Sequence, residues 1–162
     1  REVEAGRVCY RVAQSRGHGD TLNELVDLCE SMQESDVSAN NYIETAFLLL
    51  PQDFEDFFLY LDLVDVANRR MQSQGWEGIL QLASFHPDYC FAGEPESDAA
   101  NYTNRSPHPM LHVIREASLE RALASVDDPE SIPERNIALA RKLGIASLAA
   151  ERKACLDLQN SD

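Results

Sequence analysis

The sequence predicts an α/β or α+β domain, a small three- to four-stranded sheet packed with helices in the order β-α-β-α-β followed by C-terminal helices. Three patterns point there. Val8, Tyr10 and Val12 alternate with Cys9 and Arg11, which is the two-residue period of a strand. Ala46–Leu50 is a short continuous apolar run, the mark of a strand buried on both faces, and Gly78–Phe85 reads as a third buried strand. Between them, apolar residues recur at helical spacing.

Taken in order, Val8–Val12 forms the first strand and Gly17-His18-Gly19-Asp20 breaks the chain. Thr21 with Glu24 three residues on makes a capping box, and Leu22, Leu25, Val26, Cys29 and Met32 share one helical face. Glu34–Asn41 is a polar loop, and Tyr42–Leu50 is a second strand ended by Pro51. Asp53 opens a helix over Phe54–Gln74. Phe54, Phe57, Phe58, Leu61, Val64 and Met71 form its main apolar side, and Leu59, Leu63 and Val66 lie opposite. Gly75 and Gly78 bracket a tight connection to a third strand, Gly78–Phe85. Residues 86–107 show no period. Pro109 then suits the first turn of a helix reaching Ser125. Ser131 and Glu134 form a second capping box, Gly144 ends that helix, and Ile145–Gln159 is a last amphipathic one. Right-handed crossovers would make the three strands parallel, whereas a fourth strand hidden in the irregular region would give a split, ferredoxin-like sheet. The 162 residues are expected to form one globular domain, with an irregular candidate loop at 84–109 and C-terminal helices over 126–162.

The net charge of −14 opposes binding to phosphate backbones, and no apolar run approaches the length of a membrane span. Asp and Glu number twelve between Arg16 and Arg69, with no Lys or Arg among them. The acidic face 20–66 is either a docking surface for a basic partner or solubilising surface. Cys9, Cys29, Cys90 and Cys155 show neither C-x-x-C nor Cys/His ligand spacing. Buried thiols in a cytoplasmic or other reducing compartment are expected, an organelle included if a targeting segment was removed. Asn101-Tyr102-Thr103 and Asn104-Arg105-Ser106 match the glycosylation acceptor pattern, which is short enough to arise by chance.

Chemistry is expected in Ser84–Glu116, the one stretch where periodicity fails, because a long structureless connection in a compact domain is usually functional or disordered. Phe85, Tyr89, Phe91 and Tyr102 argue against disorder. His86, His108 and His112 are the candidate acid–base groups, being side chains that titrate near neutral pH. Asp98, Asn101, Asn104, Arg105, Ser106, Arg115 and Glu116 are the candidate binding groups for a small polar or anionic molecule. A metal reading would use His86, His108 and His112, although Pro109 disfavours the helical geometry that an i, i+4 histidine pair needs. In the competing structural reading, the Asn, Asp and Arg side chains satisfy loop backbone and pair with one another.

Gln81-Leu82-Ala83-Ser84-Phe85-His86-Pro87, Phe91-Ala92-Gly93, Asp98, the run Asn101–Pro109, Leu111-His112 and Arg115-Glu116 resemble an uncharacterised, mainly bacterial family catalogued only as a domain of unknown function. Glu44-Thr45 and Ile132-Pro133-Glu134-Arg135-Asn136-Ile137 extend the resemblance over nearly the whole chain. It implies a real site without naming its chemistry, cofactor or substrate. Members of that family carry a Cys-Pro-Phe segment upstream of where this chain begins, and residues 1–162 contain none. If that cysteine is a nucleophile or ligand in the family, the resemblance implies that this chain as given is either incomplete, with part of the constellation before Arg1, or inactive. Three functions follow as expectations: a small-molecule site, catalytic or binding; a non-catalytic accessory subunit docking into a larger protein assembly; or a metal-binding module.

Overall fold

In the computed structural model, which describes residues 3–38 and 41–157, four strands form one mixed sheet. The elements are β1 (Val8–Val12), α1 (Gly17–Glu34), β2 (Thr45–Leu49), α2 (Phe57–Ser73), β3 (Leu80–Phe85), β4 (Met110–Arg115), α3 (Glu116–Leu123), α4 (Ile132–Leu143) and α5 (Ile145–Asp157). The spatial order is β1-β2-β4-β3. β1 pairs with β2 in parallel, and β4 runs antiparallel to both β2 and β3. The three expected strands thus do share one direction. The fourth comes from the irregular region and splits the β2–α2–β3 unit, while β1 adds a parallel edge.

β4 corrects the helix expected from Pro109. Leu111 and Val113 are buried while Met110, His112 and Ile114 are half-buried, a two-residue alternation that sheet pairing on both sides stabilises. Proline is compatible with a strand entrance, and the Pro109 carbonyl accepts from the Leu50 amide at 2.9 Å. Helix resumes at Glu116, so the expected helix survives as its second half, α3.

The starts of the first two helices also move. α1 begins at Gly17, whose φ of +72° suits glycine, and Thr21 lies buried inside it. Glu24 makes no capping box; its carboxylate accepts from the Gln14 and Ser15 amides of the preceding loop at 3.0 and 2.6 Å. The N-cap of α2 is Asp56, accepting from the amides of Phe58 and Leu59, and not Asp53. Asp53 instead turns the chain at φ +67° and accepts from the Gly17 amide at 3.1 Å. The inward side of α2 also differs from the expected one. Tyr60, Leu63, Ala67 and Met71 are buried, whereas Phe58 and Leu61, expected on the core side, are exposed. Ser131 makes no box with Glu134 either; its hydroxyl donates to the Asp128 carbonyl at 3.0 Å in a short turn before α4. Gly144, at φ +79°, closes α4 as expected. The expected end of the last helix at Gln159 lies outside the described residues.

α1 and α2 cover one side of the sheet. Leu25, Leu28, Cys29 and Met32 of α1 and Tyr60, Leu63 and Met71 of α2 form a single core with Ala46, Leu48, Leu80, Leu111 and Val113. The three C-terminal helices hardly join it: Ala140 is the one buried residue among the described parts of α3, α4 and α5. No described helix is long and apolar enough to cross a membrane.

Candidate functional site

The segment between β3 and β4 has few ladder bonds, so its backbone groups must find partners elsewhere. The predicted site residues supply many of them. His86 is fully buried between the rings of Phe57 and Tyr60, at 5.2 and 5.0 Å. Its Nδ1 accepts from the Asp88 amide at 3.0 Å, which leaves the proton on Nε2, and Nε2–H donates to the Phe54 carbonyl at 2.9 Å. Both ring nitrogens are therefore committed. Asn101, also fully buried, accepts from the Phe91 amide at 3.0 Å and donates to the Pro95 carbonyl at 2.9 Å. Asn104 donates to the Ser84 carbonyl at 3.1 Å and accepts from Thr103. Arg105 donates to the carbonyls of Tyr89 and Glu96, each at 3.0 Å, and lies over the Tyr102 ring. Ser106 donates to the His108 carbonyl at 2.6 Å.

Asp98 caps the 3-10 turn Ala99–Thr103 through the Ala100 amide and binds Arg141 of α4 at 2.9 Å. The Arg141 guanidinium and that amide hold its carboxyl down at about 2. The same guanidinium also reaches Glu94 at 3.2 Å. This pair docks α4 onto the loop.

The remaining candidates lie elsewhere. Arg115, at the end of β4, donates through Nε to the Ile43 carbonyl at 2.8 Å and through its terminal nitrogen to the Met32 carbonyl and the Ser35 hydroxyl. It stands over the Tyr42 ring and supplies the cation that the last turn of α1 lacks. Glu116 lines a separate cavity of about 320 Å³ with Arg69, Gln72 and Glu77. His112 sits on the sheet face away from α1 and α2. Thr45 Oγ1 donates to the Val113 carbonyl at 2.9 Å, so the 2.5 Å contact between Thr45 Oγ1 and His112 Nε2 is a bond donated by the ring. Burial lowers the His112 pKa to about 4, and the ring is neutral at pH 7.

The candidates therefore do not converge on one cavity. His86, Asn101, Asn104, Arg105 and Ser106 share one folded loop, Asp98 faces α4, and His112, Arg115 and Glu116 belong to the sheet and its end. Among the described residues no group of three or more His, Cys, Asp or Glu side chains is arranged to hold a metal ion. All four cysteines are free; Cys29 is buried, and its thiol is pushed up to about 12 by desolvation.

What the loop does create is a cleft of about 950 Å³ against α2, lined by Phe57, Phe58, Leu61, Tyr89, Phe91 and Arg105, with Asp88, Cys90, Glu94 and Glu96 also on its wall. Of the predicted site residues, Arg105 alone is on that lining. The aromatic walls were missed because Phe57, Phe58 and Leu61 fit a core stripe. A sequence signal did exist: adjacent helical residues lie about 100° apart, so Phe57 and Phe58 cannot both sit at the centre of one core stripe, and Phe58 is 76% exposed.

Over residues 1–150 the chain matches the model of the family described as a protein of unknown function (DUF1415). No curated protein and no solved structure matches it. The chain belongs to that family.

Proposed function

We propose that this member of the DUF1415 family binds a small organic molecule with a flat apolar body in the cleft between α2 and the 88–96 loop. The observation that carries the reading is the cleft itself: about 950 Å³, walled by Phe57, Phe58, Tyr89 and Phe91 and carrying a few convergent polar groups. Phe57 and Tyr89 stand 5.4 Å apart and Tyr89 and Phe91 5.0 Å apart, so the wall is preassembled. Arg105 is held in place by two loop carbonyls. Asp88, Glu94 and Glu96 outnumber it on the lining, and Glu94 shares the Arg141 guanidinium with Asp98. That balance favours a neutral or amine-bearing ligand over an anion. None of the three candidate histidines lines the cleft, so the reading is one of binding.

Saturation-transfer NMR with matched sets of aromatic amines, alcohols and carboxylates tests it. The amines and alcohols should bind and the carboxylates should not, and Phe58→Ala should abolish the signal without lowering the melting temperature. Equal binding of all three classes, or binding that Phe58→Ala leaves intact, would overturn the proposal.

A further inference from the structure

The sheet has a second face, and its composition does not fit a face turned to water. Along β2 and β4, Ala46, Leu48, Leu111 and Val113 point into the helix-covered core, so Phe47, Leu49, His112 and Ile114 point the other way. Register places Tyr10 of β1, Phe47 of β2 and His112 of β4 in one row across the sheet. The rings stack: Tyr10 on Phe47 at 5.4 Å and 9°, and Phe47 on His112 at 4.0 Å and 13°. Phe85 of β3 adds a fourth ring, 6.2 Å from His112. Tyr10 is 61% exposed, and Phe47, Leu49, His112, Ile114 and Phe85 are each partly exposed. Sheets with one wet face normally carry polar residues there, and parallel strand pairs such as β1–β2 are usually covered on both sides. A contiguous apolar face of this kind marks an interaction surface.

We propose that this face is a docking site for one amphipathic α-helix of a partner protein, neutral or basic on its outer side. Area and charge choose the occupant. Four strands of about five residues present a footprint of roughly 19 by 17 Å, or ~320 Å². That lies well below the ~800 Å² per partner of a standard stable interface between two folded surfaces, so the contact is a small one that a single docked segment fills. A second copy would also bring a net charge of −14 against −14. A helix about 10 Å thick and roughly 11 residues long fits the footprint, with one apolar stripe at i, i+3, i+4 and i+7. The row also specifies one polar feature of that stripe. Because His112 spends its Nε2 proton on Thr45, its Nδ1 is an acceptor with no partner among the described residues. The docking helix therefore carries a single hydrogen-bond donor, such as Ser, Thr or Asn, at the centre of its stripe. This goes beyond the small-molecule cleft and does not depend on it.

The test uses a synthetic helical peptide of about 15 residues, with Leu at the stripe positions, one central Ser and Lys elsewhere, and a scrambled peptide of the same composition. NMR titration should show shifts at Tyr10, Phe47 and His112, with affinity at least about tenfold above the scrambled peptide. Tyr10→Glu should weaken binding about tenfold. Simple charge attraction predicts the opposite, since that variant is more acidic, and the exposure of Tyr10 keeps the fold intact. Equal binding of both peptides, tighter binding to Tyr10→Glu, or shifts confined to α1 and α2 would overturn the proposal. Sedimentation of the wild type as a dimer that Tyr10→Glu dissociates would overturn it too, in favour of a second copy.

Discussion

Tyr60→Phe is the most discriminating single substitution in this protein. Phe85 and Met110 are register partners at the end of the β3–β4 ladder. The Tyr60 hydroxyl sits between them, accepting from the Phe85 amide at 2.9 Å and donating to the Met110 carbonyl at 2.8 Å. Its ring is fully buried. Phenylalanine would keep the ring and strand one backbone donor and one acceptor together. Each such group costs about 1–3 kcal/mol when fully desolvated. Phe85 and Met110 are only partly buried, so the low end applies and the expected loss is about 2 kcal/mol. For a domain of this size that lowers the melting temperature by roughly 4–8 °C. Urea unfolding followed by the fluorescence of Trp76, the sole tryptophan, measures the free energy. Hydrogen exchange at the Phe85 amide should accelerate at the same time. A loss below about 0.5 kcal/mol, within the range of a neutral surface change, with Phe85 protection unchanged, would refute the reasoning, because water or the ladder itself would then satisfy both groups.

Three further outcomes are expected. The Thr21 hydroxyl is fully buried with no partner among the described residues, so Thr21→Val should stabilise the fold by about 1 kcal/mol in the same urea assay. The pKa of His112 is lowered to about 4 in the folded state, and the unfolded chain takes up the proton first. Stability should accordingly fall as pH drops below about 6.5 and level off near 4. The loss is about 1–2 kcal/mol once partial exposure is discounted, and His112→Phe should remove that slope in a pH series of unfolding curves. Arg115→Lys keeps the charge at the end of α1 and loses the fork that spans Ile43, Met32 and Ser35. It should cost about 1–2 kcal/mol and speed exchange in the last turn of α1.

Local periodicity was enough for β1, for the bodies of α1 and α2, for the presence of β2 and β3, and for the glycine stop of α4. In each, the hydrophobic pattern repeats along the chain itself. It was not enough for burial on both faces: β2 alternates buried with half-buried residues, and β3 is an edge strand with Leu80 its one buried residue. Membership of a family of unknown function, too, was legible in the sequence. Tertiary contact decided the rest. Met110–Arg115 is a strand because β2 and β3 stand on either side of it, and a proline before six residues cannot announce neighbours drawn from residues 45–49 and 80–85. Phe58 and Leu61 face outward because the sheet takes the Tyr60, Leu63, Ala67 and Met71 side of a helix that is apolar on more than one side, and packing alone chose between those sides. The dense His, Asn and Arg chemistry of the loop was visible from composition, but whether such groups face a ligand or their own backbone depends on where the chain folds. His86 and Asn101 turned inward, because a long loop without a ladder must satisfy its buried amides and carbonyls. The cleft and the open ring-bearing face, built by residues distant in sequence, were set by packing alone.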